Sequence, residues 1–345
     1  RQGLYNSLLD HLISKGIKIK IFDKVNEDPS IENLQSAIEE ATIFLATGVI
    51  GFGGGSPMDV AKLTALMLGS NDKIDEIWGV DKVVGPRLPL VLIPTTAGTG
   101  SEVTPISIIT LSNSEKKGVS SKVIIPELDI LDPILTSDLP SKTTASTGID
   151  DMVHAIEAFT SKSKNNNPIS KALAEKSLML LSDSIIKAVE NGKNDAVARN
   201  QMLLGSLMAG MSFANSPVAA VHALAYPLGG IYKITHGLSN ALILPYVIRF
   251  NMKDDETRDS YLHLSDIIFP QLKHIKYLED KTLAFVNEFI NLSKRFNLPT
   301  RIRDLGIPKK ACKTMSIEAM KQERLLINNP TVSYTHLTLP TIAIV

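Results

Sequence analysis

Cysteine is almost absent: Cys312 is the only one in 345 residues. One thiol excludes a disulfide framework and any multi-cysteine zinc or iron–sulfur site, and it fits a reducing compartment such as the cytoplasm. An excess charge of either sign is missing as well. Lys plus Arg number 36 and Asp plus Glu number 36, so the formal net charge is zero. That balance leaves no electrostatic footprint for nucleic acid or an anionic membrane surface. No apolar run reaches the roughly 18 residues that a membrane-spanning helix needs, and no basic-then-apolar leader precedes the first element. What is present is ordinary globular material. Hydrophobic residues make up 44%, enough for a large core and too many for a disordered chain. At roughly 100–200 residues per domain, the length suggests two domains.

The first third alternates short apolar runs with amphipathic stretches. Ile17 to Phe22 (IKIKIF) reads as a strand, and Ser30 to Ala41 as a helix capped by Ser30, with Ile31, Leu34 and Ile38 at helical spacing. Gly48 to Phe52 is an apolar run that breaks into Gly53-Gly54-Gly55-Ser56, and Pro57 suits the first turn of the helix that follows. Leu88 to Ile93 is a further strand, ending in Pro94-Thr95-Thr96. This alternation predicts a mostly parallel sheet covered by helices. Ile106 to Leu111 and Val119 to Ile125 read as a β-excursion. Beyond Asp132-Pro133 the texture turns helical. Segments are expected over Ser141–Phe159, from Pro168 to a cap at Gly192, and over 195–213, 237–250, 257–269 and 282–296, with no strand between Ser141 and Asn328. The expectation is a dinucleotide-binding α/β domain over 1–135, Rossmann-like in its sheet, and an all-α metal and substrate domain over 136–332. Ser333 to Val345 (SYTHLTLPTIAIV) break the pattern and read as a translated adapter rather than native chain.

Asp150 and His154 lie four residues apart in a helical pattern, so both face one side, a turn apart. His222 sits in an Ala/Val-rich stretch and His236 at the start of another helix. Three imidazoles and one carboxylate suit a borderline divalent metal, iron(II) or zinc alike. Each residue has a plainer alternative: a hydrogen-bonded core histidine, or for Asp150 a helix cap after Thr147-Gly148. The glycine run offers backbone N–H groups to a phosphate at a helix N-terminus, though it is not G-x-G-x-x-G, because Ser56 holds the third glycine position counted from Gly51. Thr95-Thr96-Ala97-Gly98-Thr99-Gly100-Ser101-Glu102 follows the next strand, where small hydroxyl residues suit a ribose or diphosphate. Each loop alone also reads as a tight turn, but two after consecutive strands favour a nucleotide.

The words GGGSPMDVAK (53–62), PTTAGTGSE (94–102), LDPILTSDLP (131–140), TGIDDMVHAIEAF (147–159) and VHALAYPLGGIYKITHGLSNA (221–241) together resemble the iron-containing (group III) alcohol dehydrogenases, in that family's order and spacing. The resemblance runs from about Gly16 to Pro330. It implies a nucleotide domain and a helical domain with the active site in the cleft between them, Fe(II) (or Zn) on Asp150, His154, His222 and His236, and NAD or NADP as hydride carrier. Gly54, Gly55 and Ser56 then meet the diphosphate, Thr95, Thr96 and Thr99 line the nicotinamide side, and Lys116 and Leu135 to Leu139 lie nearby. Asp59 is structural or cofactor-side. Tyr226 stands four after His222, where the family commonly has a further His that relays a proton; a phenol is a poorer base at neutral pH than an imidazole. His236 and Tyr226 are thus the implied catalytic pair. The family's opening strand–helix unit, which carries the residue selecting NAD over NADP, and its last segment are expected to be missing.

These implications describe a cytoplasmic alcohol dehydrogenase or aldehyde reductase acting on a small alcohol or aldehyde, as a homo-oligomer, most simply a homodimer, with no nucleic-acid or membrane partner. Alternatives are a hydroxyacid–oxoacid transhydrogenase of the same superfamily, a metal-dependent hydrolase, which leaves both loops unexplained, and an inactive fragment.

Overall fold

The computed structural model describes Gly3, residues 5–111 and residues 116–331; the tail read as an adapter lies outside the described residues. The chain divides into two compact units. One holds the chain up to Thr95 together with Pro105–Leu135, and the other joins Thr96–Thr104 to the chain from Thr136 onward.

The first unit is α/β. After α1 (Asn6–Ser14), α2 (Ile31–Ile43) begins at Ser30, whose side chain accepts from the Asn33 backbone N–H as its spacing predicts. Strands β1 (Val49–Gly53), β3 (Leu90–Pro94) and β6 (Leu128–Asp129) form a parallel sheet in the order β1-β3-β6, with Val49 opposite Leu90 and Val91 opposite Leu128. Strands β2 (Gly79–Val80), β4 (Ile106–Thr110) and β5 (Lys116–Ser120) form a second sheet, in which β4 pairs antiparallel with β5. Helix α3 (Gly55–Gly69) is shared by two cores. Met58, Ala61 and Ala65 pack on Leu90 and Leu92, while Val60, Leu63 and Leu66 pack with Leu34, Ala37, Ile109 and Val119. A helix covered on both sides has little amphipathic stripe. Even its lysine is buried, with the Lys62 ammonium donating to the Ile106 carbonyl at 2.8 Å. The expected strand over Ile17 to Phe22 is not observed: those residues pair with no described strand, and Ile17 and Ile21 are exposed. Alternation fits a strand, but a ladder needs a neighbour.

The second unit is helical. Its elements are α4 (Ser141–Thr160), α5 (Pro168–Asn191), α6 (Ala196–Asn215), α7 (Ala220–Tyr232), α8 (His236–Asn251), α9 (Asp255–Ile268), α10 (Leu278–Arg295), α11 (Ala311–Met320) and α12 (Glu323–Leu326), with no strand among the described residues. Asn167 caps α5 in a capping box with Ser170, and Pro168 takes the first helical position. Gly192 ends α5 in right-handed geometry, φ −59°, rather than as a left-handed cap. Helix α4 is the axis of the unit: from Gly148 to Thr160 every residue is buried. No described helix is long and apolar enough to cross a membrane.

Candidate metal centre

A helix buried on every side has no solvent for polar side chains, yet α4 carries Asp150, Asp151, His154 and Glu157. Each costs free energy unless the fold supplies a partner. Three of the four converge with residues from two other helices. Asp150 and His154 come from mid-helix, so the capping role open to Asp150 in the sequence is not the one it takes. His222 lies in the first turn of α7 and His236 is the first residue of α8. One donor atom from each of Asp150, His154, His222 and His236 lies within 4.8 Å of all the others. The imidazole centroids are 4.8 Å apart for His154–His222 and 5.3 Å for His222–His236. Asp150, His154 and His222 are buried, whereas the His236 side chain is 37% exposed, so solvent reaches the cage past His236.

The supporting contacts fix which atoms face inward. Glu157 accepts from the Ala219 N–H at 2.9 Å, the Val221 N–H at 2.6 Å and His222 Nδ1 at 2.7 Å. It thereby satisfies two orphan donors at the start of α7, a helix with no side-chain cap of its own. It also holds the His222 proton on Nδ1, leaving the Nε2 lone pair for the cage. Phe213 stacks on His154 at 4.6 Å. Asn240, one turn after His236, donates through Nδ2 to Asp150 Oδ1 and lies 3.2 Å from Nε2 of both His222 and His236. Spacing alone flagged neither Glu157 nor Asn240, though the rule that paired Asp150 with His154 extends to both.

The residues fit a divalent cation. Two amide hydrogens of Asn240 face three acceptors and cannot serve all of them at once, and Asn240 Oδ1 and His154 Nδ1 have no hydrogen-bond partner among the described residues. Burial pushes the Asp150 and Glu157 carboxyls up to about 7 and holds the His154 and His222 imidazoles below their ordinary range. His154 and His222 therefore enter as neutral imidazoles and Asp150 as a carboxyl poised to lose its proton, the states a metal requires. Three nitrogens and one oxygen match borderline ions such as iron(II) or zinc.

The other expected site residues fall as follows. Gly53 leaves β1 at φ +154°, where a side chain is strained and its Cβ would lie 2.6 Å from Pro57. Gly54 then precedes α3, with Gly55 and Ser56 in its first turn, and the Thr95 N–H donates to the Gly53 carbonyl at 2.8 Å. Asp59 ties α3 to β4: one carboxylate oxygen accepts from the Ile108 N–H and its carbonyl accepts from Ser107 Oγ. Lys116 pairs with Asp28 at 2.6 Å. Leu135 lies in a short 3₁₀ turn, and Leu139 is buried, with its carbonyl accepting from Arg199. In the helical unit, Thr96–Thr104 packs on α4 and α6. Gly100, at φ +54°, has no room for a Cβ beside the Gly210 backbone, 2.6 Å away, and the Gly98 N–H donates to Ser206 Oγ, which donates to buried Asp151. Thr99 Oγ1 accepts from the Ser101 N–H. Tyr226 is half-buried one turn beyond His222, and its oxygen accepts from Arg324 at 3.3 Å.

Comparison with known proteins places this architecture. The family model for iron-containing alcohol dehydrogenases matches residues 1–133, and that for the C-terminal part of the Fe-containing alcohol dehydrogenase family matches residues 144–337. The long-chain-alcohol dehydrogenase 1 of Geobacillus thermodenitrificans is 36% identical over 333 residues, covering 95% of this chain and 82% of that protein. The crystal structure of a 1,3-propanediol oxidoreductase superposes with a TM-score of 0.92 at 29% identity, covering 99% of this chain and 88% of that one. The sulfoacetaldehyde reductase of Bifidobacterium kashiwanohense, solved in complex with NAD+, does so at 0.85 and 29% identity, covering 98% and 87%. The chain belongs to the iron-containing alcohol dehydrogenase family. It is accordingly an oxidoreductase: a metal-dependent, nicotinamide-linked alcohol dehydrogenase or aldehyde reductase.

Proposed function

We propose that the chain interconverts a small primary alcohol and its aldehyde, with Asp150, His154, His222 and His236 holding iron(II) and Gly54, Gly55 and Ser56 receiving the diphosphate of NAD(H). The carrying observation is the buried four-donor cage, its atoms within 4.8 Å of one another. Thr95, Thr96 and Thr99 belong to the proposed nicotinamide side. When bound, the iron supplies Lewis acidity toward a substrate oxygen and the nicotinamide supplies the carbon that gives or takes hydride.

The chain's own residues prepare that chemistry. Glu157 keeps the His222 proton on Nδ1 and the Nε2 lone pair turned inward. Phe213 covers one face of His154 and keeps water from it. The exposed edge of His236 marks the side on which a substrate enters. The Tyr226 oxygen accepts from Arg324, which leaves its own O–H free to donate. Tyr226 therefore serves as a hydrogen-bond donor at the substrate end rather than as a base.

The lone thiol supports action in the cytoplasm, and a homodimer is the expected assembly, to be read by light scattering. The activity test is anaerobic reconstitution with iron(II), followed by aldehyde-dependent oxidation of added NADH. Turnover that a chelator abolishes supports the reading, and no turnover of added NADH with any small aldehyde refutes it. The same assay separates it from a transhydrogenase, which needs a keto-acid acceptor.

A further inference from the structure

We propose that Arg324 is the anion-binding end of the substrate site, so that the preferred aldehyde carries a carboxylate or sulfonate held by this guanidinium while its carbonyl faces the histidine cage. The proposal rests on the cage being the catalytic site.

Three observations carry it. Arg324 donates to Tyr226 Oη at 3.3 Å, and Tyr226 is four residues after His222 on α7, which puts both side chains on one face. The guanidinium is exposed, and among the described residues it makes no other side-chain hydrogen bond and no ion pair. Arg87, Arg199 and Arg295, by contrast, are spent on Glu127, Thr144 and Glu190. Third, α12 is not a loose segment. Leu325 and Leu326 are buried, and the Asn328 amide donates to both the Val218 and Arg324 carbonyls, tying the helix to the start of α7.

A planar guanidinium with unspent donors matches the paired oxygens of a carboxylate or sulfonate. Tyr226 adds a second donor beside it. Four residues at 1.5 Å rise each, about 6 Å along the helix, separate the level of Tyr226 from that of His222, a span that a three- or four-carbon chain bridges.

The test uses the full chain reconstituted with iron(II) and saturating NADH, assayed with butanal, 4-oxobutanoate and 3-oxopropanesulfonate. The expected result is that one or both anionic aldehydes exceed butanal in kcat/KM by about tenfold or more, as a charge-assisted hydrogen bond warrants. Arg324→Ala is expected to remove that preference through KM, and Arg324→Lys to restore part of it. The two anionic arms decide which headgroup is taken. A ratio unchanged in Arg324→Ala, or a loss falling equally on butanal and the anionic aldehydes, overturns the proposal. Saturation-transfer NMR of 4-hydroxybutanoate and 1-butanol on metal-free protein gives a readout independent of turnover. A 4-hydroxybutanoate signal lost in Arg324→Ala supports the subsite, and equal signals in both proteins overturn it. If no aldehyde is turned over while the NMR contrast is present, the dehydrogenase reading fails and the anion site stands.

Discussion

Replacing Glu157 by glutamine isolates the contact on which the cage geometry depends most. The volume is kept, but an acceptor-only group that receives from Ala219, Val221 and His222 becomes one acceptor and one donor. If the amide oxygen takes the place of Oε2, its NH₂ faces the Val221 N–H and two buried donors lose their partners. At about 1–3 kcal/mol for each unsatisfied group, less what the neutral amide saves by not ionising, the net cost is about 2 kcal/mol. If the amide flips, its NH₂ faces His222 Nδ1, and the ring answers by moving its proton to Nε2, into the cage. Iron affinity then falls by about 10- to 100-fold, the usual scale for losing an outer carboxylate. The assay pairs the urea midpoint of metal-free protein with chelator competition for iron(II). Either loss agrees with the reasoning. An unchanged midpoint together with unchanged affinity would refute the assignment of Glu157 as the group that orients His222.

Two further outcomes follow from the same contacts. The metal-free Asp150 carboxyl is held up to about 7 by burial, so below that pH the ion must displace a proton. Iron affinity is expected to fall by about tenfold per pH unit from 7 to 5, while His154 and His222, already held low, add nothing near neutrality. A flat affinity profile by chelator competition across this range contradicts the shift. Ser206→Ala strands the Gly98 N–H and one oxygen of buried Asp151. It is expected to cost about 2–4 kcal/mol, read as a lowered thermal midpoint, and a change within about 0.5 kcal/mol counts against that link.

Much of this is legible in the sequence alone. Ser30 announces its helix because capping is local chemistry, and Pro168 marks where α5 begins. Asp150 and His154 are paired by helical period alone. The extended run at Ile17 to Phe22 misled because a strand is a relation to a neighbour, which a local pattern does not contain. Asn240 and Glu157 went unnoticed for a different reason. Their spacings, four from His236 and three from His154, are helical, but an amide or carboxylate one turn from a histidine is common on any helix, and only the fold shows which ligand each one supports. Nothing local in the threonine-rich loop shows that the backbone of Gly98 and Gly100 lies closely against α4 and α6. Arg324 carried no signal, since nothing local shows that its neighbour in space is Tyr226.

The central claim is that one cage of four side chains holds the ion. Elemental analysis of anaerobically purified protein tests it most directly. Wild type is expected to carry about one iron or zinc per chain, as a three-histidine, one-carboxylate site implies. Asp150→Ala, His222→Ala and His236→Ala, each shown to be folded by circular dichroism, are expected to lose that ion. Wild-type metal content in any of these three variants would contradict the account.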